Sequence, residues 1–264
     1  MTFQPYVPTG GLAGWRFLEA SLDRQLAAHS ASGLVKRDVD YFRENIGNIR
    51  TADELVSDFR LLSVALTAFG LEGEIQNKFL IRKVLEGGVT DPEAIANRLS
   101  DKRYRDLSRA FGFGDFSTPN TVLSDFPDRI EARYQRQTFE IALGNTSETM
   151  RLALNAKREL AAIAEADTSG RTKWFTIMGT APVRKVMEGA LALPTGFATL
   201  PIDQQLETFE ARTQDLFGST DPSVFADPDT LDRLLDRYTG LSSLAEGGDA
   251  VTVTSPALLL LRGF

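Results

Sequence analysis

Apolar side chains recur along this chain at spacings of three and four, and each such stretch stops at a break rich in Gly, Pro or Ser. Trp15, Leu18, Leu22 and Leu26 form the first stripe, with Arg16, Glu19, Asp23 and Arg24 on the other face, which predicts an amphipathic helix from about Gly14 to Ser30. Before it, Met1 to Gly11 mixes Pro5, Pro8, Gly10 and Gly11 with apolar residues and reads as an irregular arm. Val35, Val39, Phe42 and Ile46 predict a second helix, stopping at Gly47 and Asn48. Thr51 with Glu54 is a capping-box pair, in which each side chain satisfies a backbone N–H left free at a helix start. It opens a helix whose inward stripe is Leu55, Phe59, Leu62, Leu66 and Phe69, ending at Gly70. Ile75, Phe79, Leu80 and Val84 predict another, ending at Gly87 and Gly88. Thr90 with Glu93, and Pro92 in the first turn, predict a short helix facing Ile95 and Leu99 inward; Tyr104, Leu107 and Phe111 mark the next, closed by Gly112.

The second half continues in the same way. Ile130, Tyr134, Thr138 and Ile141 lead to Leu143, Gly144 and Asn145, and a long helix rich in Ala and Leu follows from about Ser147 to Ala166. Thr168, Ser169 and Gly170 break it before a helix carrying Trp174, Ile177 and Met178, and Pro182 begins another. Asp203 caps a helix with Leu206, Phe209, Leu216 and Phe217, closed by Gly218. Asp227, Pro228 and Asp229 start the last, with Leu231, Leu234, Leu235 and Tyr238 inside and Gly240 at its end. Beyond it the pattern changes: Val251 to Thr254 alternate as a strand does, and Leu258 to Leu261 run together. Four consecutive Leu cannot all face one core from a helix, so they plug a groove in this chain or are offered to another.

Two marks recur in order. Phe42 with Ile46, Gly47 and Asn48 returns as Phe139 with Leu143, Gly144 and Asn145; Arg82, Lys83, Val84, Leu85, Glu86, Gly87 returns as Arg184, Lys185, Val186, Met187, Glu188, Gly189. The chain therefore reads as an all-α, multihelical bundle built from two duplicated helical repeats, with an irregular N-terminal arm and a C-terminal tail. The expected division is residues 1–33 for the arm and first helix, 34–117 for repeat 1, 128–240 for repeat 2 and 241–264 for the tail. The Arg-Lys mark reads as a helix C-terminus, with the cations near the negative end of the helix dipole and Gly closing. The competing reading, paired basic sites for an anionic partner, lacks the Gly-rich turn ahead of a helix that such sites use.

Composition changes the picture mainly by exclusion. A net charge of -7 argues against a sequence-independent hold on nucleic acid. The absence of Cys removes disulfides, thiolate metal sites and Cys nucleophiles. His29 is the one histidine, which rules out His-rich metal sites; on its helix it is expected to face water. No apolar run approaches the ~20 residues of a membrane span, and the start lacks a signal-type leader, so the expectation is a cytoplasmic protein, with export through a leaderless flagellar secretion route left open. Asp38 with Asp40 and Asp232 with Asp236 are carboxylate pairs that read as solvated helix faces rather than acid–base machinery. Asp221, Asp227 and Asp229 read as helix starts, because Pro222 and Pro228 interrupt calcium-loop spacing. No catalytic, cofactor-binding or metal-binding residue is assigned.

Gly14 to Leu18, Tyr41 with Phe42, Thr51, Ala52, Glu54 to Val56, Ala68 to Leu71, Arg82 to Glu86, Asp101, and Arg103 with Tyr104 through Phe111 carry a resemblance to an uncharacterised helical domain family. Its members occur largely in alphaproteobacteria and are often encoded among flagellar genes. The likeness covers Gly14 to Phe113; the second copy departs from it at Trp174 to Thr180 and in its longer closing helix. The resemblance supplies no catalytic residues and implies a role in flagellar assembly or motility. The expected function is a non-enzymatic interaction, scaffold or assembly protein that binds a protein partner, a flagellar component by the resemblance. Its candidate partner-binding residues are Val251, Val253, Leu258, Leu259, Leu260, Leu261 and Phe264 in the tail, together with Trp174 and Phe175, adjacent positions that cannot both point inward from one helix. The rival is a small-molecule-binding protein or enzyme with a pocket between the repeats.

Overall fold

The structure is a computed structural model and describes residues 3–246. Among the described residues it is all-α, with thirteen α-helices, short 3-10 turns and no strand. In order these are α1 (Gly11–Ser30), α2 (Gly33–Asn45), α3 (Ala52–Ser57), α4 (Phe59–Ala68), α5 (Lys78–Gly87), α6 (Ile95–Arg98), α7 (Arg103–Phe111), α8 (Phe126–Gly144), α9 (Glu148–Glu165), α10 (Gly170–Gly179), α11 (Ala181–Ala190), α12 (Ile202–Phe217) and α13 (Pro228–Glu246). None of them is long and apolar enough to cross a membrane. The strand expected at Val251 to Thr254 lies outside the described residues.

The helices gather into two compact units by contact. Within the described residues, the first takes in 3–5 and 23–142 and the second 6–22 and 143–246. The helix α8, expected to open a second repeat, belongs to the first unit up to residue 142, and α1 contributes residues to both.

In the first unit α4 is the central element: Leu61, Leu62, Val64, Ala65, Leu66, Thr67 and Ala68 are all buried, the signature of a helix surrounded by others. Its start departs from expectation. The single helix predicted from Leu55 to Phe69 is two, because Asp58 leaves helical geometry (φ -88°, ψ 105°) and its carboxylate accepts the N–H groups of Arg60 at 2.9 Å and Leu61 at 3.0 Å. The phase resets there, and Phe59, expected inside, is 61% exposed. Upstream, the capping box at α3 forms as predicted: the Glu54 N–H donates to Thr51 Oγ1 at 3.2 Å and the Thr51 N–H to Glu54 Oε2 at 3.1 Å. After α4 the chain reverses at Gly70, whose φ of +69° suits a residue without Cβ. The helix α5 begins at Lys78 rather than near Ile75, burying Ile81, Val84 and Leu85 and leaving Phe79, also expected inside, 69% exposed. The capping box expected at Thr90 and Glu93 is absent. A carboxylate far along the chain takes its place: Asp115 Oδ1 accepts the N–H groups of Val89 and Thr90, both at 2.8 Å, so α6 starts only at Ile95, itself partly exposed.

In the second unit α9 lies against α11, α13 and the 3-10 turn Pro222–Ala226, presenting Met150, Ala153, Ala156 and Leu160. Ser147 and Ser169 cap α9 and α10 through the N–H groups of Met150 and Thr172. Asp227 caps α13 through the Thr230 N–H at 3.0 Å, and Leu231, Leu234, Leu235 and Tyr238 are buried as expected. The helix passes through Gly240, its expected end, to Glu246. A mid-helix Gly costs about 1 kcal/mol, and here the added turn carries Ser243 against Gly11, where a Cβ would stand 2.7 Å from the Ser243 hydroxyl. Trp15 and Leu18, in the part of α1 that belongs to this unit, are fully buried.

The repeated mark lies on α5 and on α11. In both copies the two apolar residues are buried and the Arg reaches the Glu four positions on, Arg82 Nε to Glu86 at 3.8 Å and Arg184 Nε to Glu188 at 2.7 Å. The copies part at their last residue. Gly87 leads into a left-turning Gly88 that closes α5, whereas Gly189 lies inside α11, where a Cβ would meet the Tyr238 ring at 2.9 Å.

Candidate functional site

The adjacent aromatics on α10 split as the helix geometry requires. Trp174 is fully buried, stacked on Phe209 with centroids 5.4 Å apart, and its indole N–H donates to the Thr220 carbonyl at 2.8 Å. Beside it the buried Lys173 ammonium donates to the Ala164 carbonyl at 2.7 Å and to Ser223 Oγ at 2.6 Å. Both side chains fasten the segment around Thr220 and Ser223, so Trp174 is a packing residue. Phe175 faces outward, 39% exposed, with the Arg171 guanidinium 5.5 Å from its ring centre. The tail candidates Val251, Val253, Leu258, Leu259, Leu260, Leu261 and Phe264 lie outside the described residues.

Asp38 and Asp40 go to different partners, whereas Asp232 and Asp236 are joined in one ion-pair chain through Lys157, Glu19 and Arg16. Asp38 accepts the Tyr134 hydroxyl at 3.1 Å and lies 3.6 Å from Arg60, while Asp40 pairs with Lys36 at 2.7 Å. In the second unit Asp232 pairs with Lys157 at 2.8 Å, Lys157 also binds Glu19 at 2.6 Å, and Asp236 holds Arg16. A second phenol, Tyr41, donates to Asp58 at 2.7 Å beneath the Arg60 guanidinium. The hydrogen bond to Asp58 raises the Tyr41 pKa; burial, then Asp38, raises that of Tyr134. Both phenols therefore keep their protons at neutral pH and act as hydrogen-bond donors. Asp221 accepts the Ser223 N–H at 2.8 Å and Asp227 the Thr230 hydroxyl at 2.7 Å, turn and helix-start roles. Among the described residues no group of three or more His, Cys, Asp or Glu is placed to hold a metal ion.

His29 departs from expectation: it is buried. Its Nε2 lies 2.8 Å from Thr138 Oγ1, and its ring meets those of Phe3 and Phe139 edge-on at 5.4 and 5.7 Å. Burial lowers its pKa from 6.5.

Two large aromatic rings of the first unit stand in solvent. Phe59 and Phe79 sit on α4 and α5, the two helices that pack on α3. The Arg82 guanidinium lies 5.7 Å from the Phe79 ring centre and binds Asp53 of α3 at 3.1 Å. Phe79 thus stands beside a guanidinium and a carboxylate, placed to bury apolar area and orient a partner by charge, and Phe59 is a second exposed ring of the same unit. Neither ring was among the residues expected to bind. For Phe79 the signal was present, since two residues from the buried Ile81 is the opposite side of a helix.

Several residues that carry the family resemblance hold the fold together. Arg103 donates to the Gly70 carbonyl and is held by Asp101 at 2.6 Å, and Thr51 with Glu54 caps α3. A family model described as "Protein of unknown function (DUF1217)" matches residues 68–231. No curated protein matches the chain. Among solved structures, the chain is similar to the X-ray crystal structure of protein AGR_C_984 from Agrobacterium tumefaciens, with a TM-score of 0.72 and 26% identity over 92% of this chain and 99% of that one.

Proposed function

We propose, from the premise that this chain belongs to the DUF1217 family of proteins of unknown function, that it is a non-enzymatic interaction protein: a helical scaffold that engages a protein partner through the exposed aromatic surface of Phe59 and Phe79. The observation that carries this reading is the contrast between its polar and apolar groups. The carboxylates, phenols and buried lysine singled out above are committed to partners within their own units, while Phe59 and Phe79 stand more than half exposed, Phe79 beside the Arg82 guanidinium. Interface hot spots favour such aromatic and Arg neighbours, because a ring gains most from desolvation and a guanidinium orients what covers it. Phe175 under Arg171 repeats the arrangement in the second unit, and the apolar tail from Val251 to Phe264 is a further recognition segment in this reading. The association with flagellar assembly or motility rests on the resemblance to alphaproteobacterial proteins encoded among flagellar genes.

The test is affinity capture from motile cells with three baits: the intact chain, the Phe59→Ser/Phe79→Ser double variant, and a chain lacking residues 251–264. The intact chain is expected to enrich flagellar components. The double variant should lose at least tenfold of that recovery, on the order of 1.4 kcal/mol, with helical circular dichroism and thermal midpoint unchanged. Equal recovery by the intact chain and the double variant, or no flagellar component with any bait, rejects the reading.

A further inference from the structure

We propose that His29 is an acid-sensitive latch for the N-terminal arm: the neutral imidazole holds residues 3–5 against the first unit, and protonation at Nδ1 releases them. The argument starts from where the protons must be. Thr138 Oγ1 has one proton, and that hydroxyl donates back along α8 to the Tyr134 carbonyl at 2.9 Å, with the Gln135 carbonyl at 3.1 Å. Its oxygen is then free to accept, so the 2.8 Å contact is donated by His29 Nε2–H, which leaves Nδ1 as the bare nitrogen. Nδ1 is buried and has no hydrogen-bond partner. A proton added there would create a charged N–H without an acceptor in an apolar cradle, a state burial strongly disfavours.

The cradle is built from unequal parts. Phe139 belongs to α8 and His29 to the last turn of α1, both long helices. Phe3, which closes the cradle at 5.4 Å from the imidazole and 6.3 Å from Phe139, lies on a stretch with no helix or strand, anchored besides by the buried Pro5. The least stable element opens first, so the arm moves while the helices stay. The other titratable and charged side chains on the packed elements are Arg16, Glu19, Asp23 and Arg24 on α1 and Asp128, Arg129, Glu131, Arg133, Tyr134, Arg136 and Glu140 on α8, and residues 3–5 carry none. None of them accounts for the state of the imidazole, whose depressed pKa has burial as its cause. The helix dipole at the end of α1 favours imidazolium, while burial of the ring lowers its pKa.

The sign follows. With the docked pKa below that of a free imidazole, the released form binds more protons, so docking is at full strength above pH 6.5 and weakens as pH falls through that value. The ratio of released to docked arm should rise about tenfold for each pH unit below 6.5, until the docked form titrates.

Because the chain has one His and no Cys, both readouts are clean. Nitrogen-15 NMR of the full chain follows the single imidazole, and a spin label on Gln4→Cys, an exposed position, reports arm mobility. The expected result is an imidazole pKa below 6.5, a mobile label fraction that grows between pH 7.5 and 5.5, and no such growth in the His29→Gln background. Phe3→Ala should bring the imidazole pKa back toward 6.5, a readout that stands if His29→Gln does not fold. An imidazole titrating at or above 6.5, label mobility independent of pH, the same acid response in His29→Gln, or an unchanged imidazole pKa in Phe3→Ala would each overturn the latch.

Discussion

At the scale of the residue, one amino acid that closes the same short sequence mark twice is held by different forces. Gly87 and Gly189 end the same six-residue mark, yet a Cβ on Gly87 meets only Ala94 at an ordinary 3.9 Å, whereas on Gly189 it meets the buried Tyr238 ring at 2.9 and 3.0 Å. Opposite signs are expected. Gly87→Ala should raise stability by about 0.5 kcal/mol through lower chain entropy, and Gly189→Ala should lower it by about 1–3 kcal/mol through overpacking. Urea unfolding of the two variants side by side checks this; a shift of the same sign in both would make the mark a single device after all. The adjacent pair Trp174 and Phe175 shows a similar limit. That one of them faces out is legible from the 100° step of a helix. Which one does so depends on the Thr220 carbonyl, 46 residues away, that receives the indole N–H.

At the scale of the element, two helix starts were legible because the capping signature and its near-neighbour partner both stand in the sequence. Thr51 with Glu54 and Asp227 with Thr230 satisfy backbone donors three residues off, and both helices begin where expected. The misreadings share a cause, a contact or a break that spacing does not encode. Leu55, Phe59 and Leu62 fall on one stripe whether or not the backbone is continuous, so the interruption at Asp58 left no periodic trace. Thr90 and Glu93 have the capping signature, but Asp115 captured the backbone first. For the candidate surface the same errors hid Phe59 and Phe79, both more than half exposed. Asp58 is accordingly the more informative residue to change. Asp58→Ala should cost about 1–2 kcal/mol by uncapping α4 and also strand the Tyr41 hydroxyl, while Asp58→Asn, which keeps an accepting oxygen, should cost less than half as much. A shift in urea midpoint at constant slope would show it; equal losses in the two variants would mean that charge, not capping, is what Asp58 supplies.

At the scale of the whole chain, residues 6–22 are counted with partners that begin at residue 143. Trp15 and Leu18 are fully buried there, and Arg16 and Glu19 reach Asp236 and Lys157. The segment matched by the family model, 68–231, omits this piece. A fragment starting at residue 143 is therefore expected to lack a cooperative thermal transition, two large side chains being missing from its interior. A fragment of this kind that melts sharply would show α1 to be dispensable. The same order of assembly bears on synthesis. The ribosome makes Trp15 and Leu18 first and their covering helices some 120 residues later, a wait on the order of 6–24 s at ~5–20 residues per second. Through that interval the nascent chain carries a greasy, half-satisfied segment, and whatever shields it in the cell belongs to the protein's biogenesis as much as any partner belongs to its task.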